Sequence, residues 1–171
     1  MSMDAASKED ESYHYTESGL DNVFLGNGFR YNDAGGRRRV VIKDIDGLHK
    51  AIGRTLVDRK ESLTGKEVRF LRHELLMSQS VLAKLLGVTE QTVHRWEKGK
   101  TDIPKAAEKL LRLMYMRRNA PDGGGPAETR SIDAILRTFA DLEDDRDWGR
   151  ITMRKGGKDK PWYLDREAKA A

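Results

Sequence analysis

The chain has 171 residues, of which 37% are hydrophobic and 35% charged, enough for one medium domain or two small ones with a heavily charged surface. It has no cysteine, which excludes disulfides, thiolate metal sites and a cysteine nucleophile. The net charge of +4 is unevenly placed: residues 1–36 carry two basic and seven acidic side chains, residues 37–63 eight and four, residues 64–119 twelve and six, residues 120–149 three and eight, and residues 150–171 seven and three.

His14, His49, His73 and His94 lie far apart and show no metal-ligand spacing. No apolar run approaches the length that crosses a membrane. The opening MSMDAASKEDES is polar and acidic, unlike a signal peptide, and reads as a disordered tail over 1–12. These features point to a cytoplasmic protein with no metal, no cofactor and no membrane association. No phosphate loop, nucleophile elbow or metal cluster marks an enzyme.

Residues 13–60 read as a small β-rich segment followed by a helix. Tyr13–Thr16, Val23–Leu25, Phe29–Tyr31 and Val40–Ile42 are candidate strands, separated by turns at 26–28 and 32–36. A small antiparallel sheet resting on a helix is the most this length supports. Arg37-Arg38-Arg39 after the second turn is either a solvated hairpin or an arm for a minor groove. Leu48, Ala51, Ile52, Thr55 and Leu56 then share one helical face, with Asp44 or Asp46 as cap.

Residues 61–119 read as four helices. Thr64 and Glu67 form a capping box, with Leu63 and Val68 placed as a hydrophobic staple. That helix runs to about Leu76 and faces Val68, Leu71 and Leu75 inward. Ser78 caps the next, which ends near Leu86. Thr89 caps the third, which ends near Lys98, with Gly99 as its stop. Pro104 opens a fourth that runs to about Arg118 through Ala107, Leu110, Leu111 and Met114. Residues 120–130, which NAPDGGGP at 119–126 enters, form a linker by composition. Residues 131–171 are a C-terminal part that begins with an amphipathic helix over 131–146 (Ile132, Ile135, Leu136, Phe139, Leu142). Ile151–Arg154 is a candidate strand, while Trp148, Trp162 and Tyr163 have no evident burial site.

The stretch Gln79–Lys98, QSVLAKLLGVTEQTVHRWEK, is the most informative. Ala83, Gly87 and Val93 have the spacing that packs two short helices across a tight turn. Ala83 is small where the second helix crosses it, and Gly87 permits the turn's backbone conformation. Leu82, Leu86, Val88, Val93 and Trp96 close the corner, so the motif core is Ala83, Gly87, Val93 and Trp96. Trp96 is a core plug by size, not a stacking residue. Glu90, Gln91, His94 and Arg95 are left outward, where they can reach base edges in a major groove. The competing reading is a plain helical bundle with a solvated polar face. The joint pattern of Gln79, Ala83, Gly87, Thr89, Val93, Trp96, Glu97 and Gly99, with basic charge concentrated around it, favours DNA.

Residues 64–118 resemble the Cro/phage-repressor helix-turn-helix family, also called XRE, and SQSVLAKLLGVTEQTVHRWEKGKTDIP is similar to that family's motif throughout. The wider span 13–118 more loosely resembles regulators related to MqsA-type antitoxins, through YHYTESGLDNVFL, IKDIDGLHKAIGR and LTGKEVRFLRHELLMSQ. Those proteins hold their N-terminal part with zinc on cysteines. None exists here, so zinc does not carry over. The resemblance implies a mainly α fold: an XRE-type helix-turn-helix bundle with a small N-terminal β-rich segment and a C-terminal amphipathic helix.

The resemblance also implies roles. Gln79 opens the motif's first helix and would touch phosphate. Thr89, Glu90 and Gln91 open the second and would read bases. Gln91 suits adenine and Arg95 suits guanine, both bidentately, and Glu90 can accept from a cytosine amine. Thr92 and His94 lie nearby for phosphate or a thymine methyl, and Lys98, Lys100 and Thr101 would follow the backbone. One recognition helix covers about four base pairs, so a homodimer on a palindromic operator of double-stranded DNA is expected, in the nucleoid. The expected function is a sequence-specific transcriptional regulator, a dimeric repressor. The alternatives are an antitoxin that binds a toxin protein and represses itself, and a protein-interaction adaptor anchored on DNA.

Overall fold

The fold is that of a computed structural model and is described for residues 12–33, 36, 38–59, 62–119 and 150–166. It is mainly helical with a small β-rich segment. The chain divides into two compact units, residues 1–52 with 147–171, and residues 53–146. In sequence, the helical unit is therefore an insertion between the two parts of the β-rich one.

The β-rich unit contains β1 (Tyr13–His14), a 3-10 turn (Thr16–Ser18), β2 (Val23–Leu25), β3 (Phe29–Asn32), β4 (Arg39–Ile42), the start of α1 (Ile45–Asp58), β5 (Ile151–Lys155) and β6 (Trp162–Leu164). β3 and β4 form a two-stranded antiparallel ladder, Phe29 opposite Ile42. The other strands form one sheet in the order β1-β2-β5-β6. Val23 and Leu25 alternate with the half-buried Phe24, as a strand with one face on a core requires. Their core partners include Leu20, Leu48, Ile52, Ile151 and Met153, all essentially buried.

This sheet differs from the sequence expectation of a small antiparallel one. β2 pairs in parallel with β5, Val23 opposite Ile151 and Leu25 opposite Met153, while β1–β2 and β5–β6 are antiparallel. Local pattern marks 151–154 as a strand but carries no information about a partner so distant in sequence. The same pairing gives Trp162 its place. Its indole is buried and donates from Nε1 to the carbonyls of Lys43 (3.2 Å) and Asp44 (3.1 Å), while Tyr163 stays half exposed. Gly28, at φ +78°, lies under that ring; a Cβ there would come within 2.5 Å of it. Asp44 caps α1, accepting from the Gly47 amide at 3.1 Å.

The helical unit comprises the end of α1 with α2 (Gly65–Glu74), α3 (Gln79–Leu86), α4 (Glu90–Glu97) and α5 (Lys105–Arg118). The capping box is formed: the Glu67 amide donates to Thr64 Oγ1 (3.3 Å) and the Thr64 amide to Glu67 Oε2 (2.8 Å). Leu63 and Val68 are both buried beside it. α2 ends at Glu74, two residues before the apolar pattern suggests. Leu76 adopts φ +56° and is 81% exposed, so it leaves the helix instead of extending it.

The buried face of α5 is Ala107, Glu108, Leu111, Arg112 and Tyr115. Leu110, expected on the inner stripe, is instead 47% exposed. Two charged residues share the buried face instead. Arg112 ion-pairs with Glu108 (2.6 Å) and donates to the carbonyls of Leu56 (2.8 Å), Val57 (3.1 Å) and Arg59 (2.6 Å), which closes the C-terminal end of α1. Polar bonding and apolar burial therefore share one face of the helix, and Leu110 lies outside it. Arg37, Trp148, the tail over 1–11, the linker over 120–130 and the helix over 131–146 lie outside the described residues.

Candidate nucleic-acid interface

α3 and α4 meet across Gly87. Its φ of +68° is the left-handed conformation that a glycine adopts without strain, and its amide closes α3 by donating to the carbonyls of Ala83 and Lys84. Ser78 and Thr89 cap the two helices, accepting from the amides of Val81 (3.1 Å) and Thr92 (3.2 Å). Leu82, Ala83, Val93 and Trp96 are 3% exposed or less. Trp96 is therefore a core residue of the corner. Leu86 and Val88 are half-buried, completing the apolar seam.

With Val93, Trp96 and Glu97 directed inward, α4 presents its other side chains toward solvent or the margin. Thr89, Glu90, Gln91 and Arg95 are exposed, and Thr92 and His94 are half-buried at the margins. Thr89 Oγ1 and Thr92 Oγ1 share a hydrogen bond of 2.8 Å, so both hydroxyls are oriented before any ligand arrives. After α4, the chain turns through Gly99 at φ +65°, which leaves Lys98 and Lys100 exposed and Thr101 half-buried. The exposed strip thus holds two amide or carboxylate side chains, one guanidinium and two ammoniums within thirteen residues.

A buried polar cluster supports this strip. Arg72 on α2 grips Glu97 at the end of α4 from Nε (2.5 Å) and Nη2 (3.0 Å). Its remaining Nη1 donates to the Met77 carbonyl at 2.8 Å, in the loop before α3. Gln79 completes the cluster, donating from Nε2 to Glu97 Oε2 at 2.7 Å. Burial works against the Glu97 charge, but the hydrogen bonds from Arg72 and Gln79 and the positive charges of Arg72 and Arg69 outweigh it and hold the carboxyl below its ordinary range. One carboxylate therefore ties α2, α3 and α4 together. Gln79 has two amide hydrogens, and the bond to Glu97 uses one.

Gly65 sets the approach of α2 to α4. A Cβ there would lie 2.2 Å from the Trp96 carbonyl oxygen. Neither Arg72 nor Gly65 is conspicuous in the sequence. The signal for Arg72 was a charged residue in the middle of an apolar helix face, paired with the only acidic residue in the last turn of α4.

Residues 68–108 match the family model described as Helix-turn-helix. This segment is an XRE-type helix-turn-helix. A curated relative, a protein of Pyrobaculum aerophilum provisionally named an HTH-type transcriptional regulatory protein, is 42% identical over 53 residues. The match covers 30% of this chain and 21% of that protein, so the chain spans only a small part of that relative's length. No solved structure matches the chain significantly. Among the described residues, no group of three or more histidine, aspartate or glutamate side chains is placed to hold a metal ion, and no helix is long and apolar enough to cross a membrane.

Proposed function

We propose that the chain is a sequence-specific DNA-binding transcriptional regulator that acts as a dimeric repressor, with α4 as its recognition helix. The observation that carries this reading is the division of α4: Val93 and Trp96 are buried, while Glu90, Gln91 and Arg95 face solvent on a helix whose last turn is tied through Glu97 to Arg72 and Gln79. Such bracing suits a helix that must meet base edges to within fractions of an ångström.

In this reading Thr89, Glu90, Gln91 and Arg95 contact bases. Gln91 pairs bidentately with adenine, and Arg95, one turn on, with guanine N7 and O6. Gln79, Thr92, His94, Lys98, Lys100 and Thr101 contact phosphate and fix the register. Residues 64–119 carry twelve basic and six acidic side chains, so the segment bearing α4 is drawn to a polyanion. A single module of this size reads too short a sequence for unique recognition, and two copies on a palindromic operator supply the remainder. Repression then follows from occupying promoter DNA. The relative's name as a transcriptional regulatory protein agrees with this assignment.

Selection of bound duplexes from a random pool tests it. The expected result is an enriched motif with two inverted half-sites about one helical turn apart. Enrichment of no motif, with binding indifferent to sequence, overturns the assignment of α4 as a base reader.

A further inference from the structure

The β-rich unit carries a basic cleft that the reading above does not use. It has a volume of about 930 Å³ and lies between the turn at Asn27-Gly28, the start of α1 at Lys43-Asp44, and the β5–β6 loop over residues 155–161. Four ammoniums line it, from Lys43, Lys155, Lys158 and Lys160, against two carboxylates, Asp44 and Asp159.

The frame of this cleft is fixed by hydrogen bonds. Asn27 clamps the base of the loop from both sides, its Oδ1 accepting from the Lys155 amide (2.6 Å) and its Nδ2 donating to the Lys155 carbonyl (3.2 Å). Within the loop, the Gly156 amide donates to the Pro161 carbonyl (3.1 Å) and the Lys160 amide to the Gly157 carbonyl (2.9 Å). Lys155 is committed to this frame: its ammonium donates to the Lys160 carbonyl and lies 3.9 Å from Asp44. That contact also engages one of the two carboxylates. Lys43, Lys158 and Lys160 are exposed and form no salt bridge among the described residues.

We propose that this cleft binds the phosphate backbone of duplex DNA, as a second contact surface beyond the helix-turn-helix. The inference rests on the chain being a DNA-binding protein. Three features select a polymer over a small anion. The free cations are exposed lysines, point charges suited to phosphates without regard to sequence. A small-ligand site would bury most of its ligand and aim buried polar groups at it, whereas here the groups that face the cleft are exposed. Lysines at different points of the rim, Lys43 before α1 and Lys158 and Lys160 on the β5–β6 loop, also match a ligand with repeated charges.

The test is the salt dependence of duplex binding by the full chain, wild type against Lys43→Ala/Lys158→Ala/Lys160→Ala. Each phosphate neutralised contributes about 0.9 to the slope of log K against log salt concentration. The triple variant is therefore expected to lower the slope by about 2 to 3 while leaving the selected motif unchanged. The three residues are exposed, and an unchanged melting temperature verifies the fold. Lys98→Ala, measured in parallel, reports on the helix-turn-helix. If Lys98→Ala lowers the slope and the triple variant does not, the cleft proposal falls alone. If the triple variant lowers it and Lys98→Ala does not, the cleft stands and the phosphate role of Lys98 falls. No duplex binding by the wild type overturns both. Saturable binding of inorganic pyrophosphate, lost in the triple variant whose duplex slope is unaltered, marks a small-anion site and overturns the proposal.

Discussion

Arg95 and Leu76 illustrate two opposite uses of an exposed residue. Arg95 faces solvent on α4 with its backbone held by the capped, buried-core helix beneath it. Replacing it with alanine should cost about 1–3 kcal/mol on the selected operator and relax the preference at one base position. Competition binding against single-base variants of the site measures both effects. An unchanged preference would remove Arg95 from the set of base readers. Leu76, in contrast, spends conformational energy: its φ of +56° is unfavourable for a residue with a Cβ, and its side chain is 81% exposed. Leu76→Gly should raise stability by about 1 kcal/mol, seen as a higher urea midpoint at unchanged slope. A lower midpoint would mean that the leucine makes a stabilising contact outweighing its strain.

Among the elements, α2, α3 and α4 depend on one carboxylate. Glu97 accepts from Arg72 and Gln79, and its folded pKa lies below the value of a free carboxyl. A carboxyl with a depressed folded pKa contributes stability above its unfolded pKa and loses it as the pH falls through the folded one. Glu97→Gln should therefore destabilise the chain at neutral pH by about 1–3 kcal/mol. The gap between variant and wild type should narrow on acidification below the ordinary carboxylate range. Chemical denaturation across that range checks it, and a gap independent of pH would show that charge is not what the site uses. Gly65→Ala should cost about 1–3 kcal/mol by forcing α2 off the Trp96 carbonyl. Calorimetry of that variant reads the packing of α2 on α4 separately from the ion pair.

The helices were legible because their signals are local. Thr64 with Glu67, Ser78, Thr89, Gly87 and Gly99 announce starts and stops within a few residues, and each cap is formed as the sequence suggests. What local pattern missed depends on distant partners. Leu110 fits an apolar stripe, yet the buried face of α5 is the one from which Arg112 reaches the end of α1, and Leu110 faces outward. Hydropathy ranks Arg112 as a surface residue because it takes no account of unsatisfied carbonyls at a helix end.

For the whole molecule, the decisive feature is that the β-rich unit is built from both ends of the described chain. β2 and β5 pair across an inserted helical unit, a parallel pairing that only a long connection allows. Nothing in residues 13–42 or 150–166 alone signals the other, so the sheet could not be read and the base of α4 could. The repressor reading makes one further claim about the assembled protein, that two copies act together. Sedimentation on a duplex carrying both half-sites should show two chains bound, and on a duplex with one half-site a much weaker complex. A single chain bound with full affinity to one half-site would refute the dimer.

The most direct test of the central claim, that α4 reads the major groove, is methylation interference on the selected operator. Dimethyl sulfate marks guanine N7 in the major groove and adenine N3 in the minor groove. The account predicts that methylation at guanine N7 blocks binding at symmetrically placed positions in the two half-sites, and that the block at the guanine paired with Arg95 disappears in Arg95→Ala. Binding that tolerates guanine N7 methylation throughout the site, or that is blocked only at adenine N3, would contradict it.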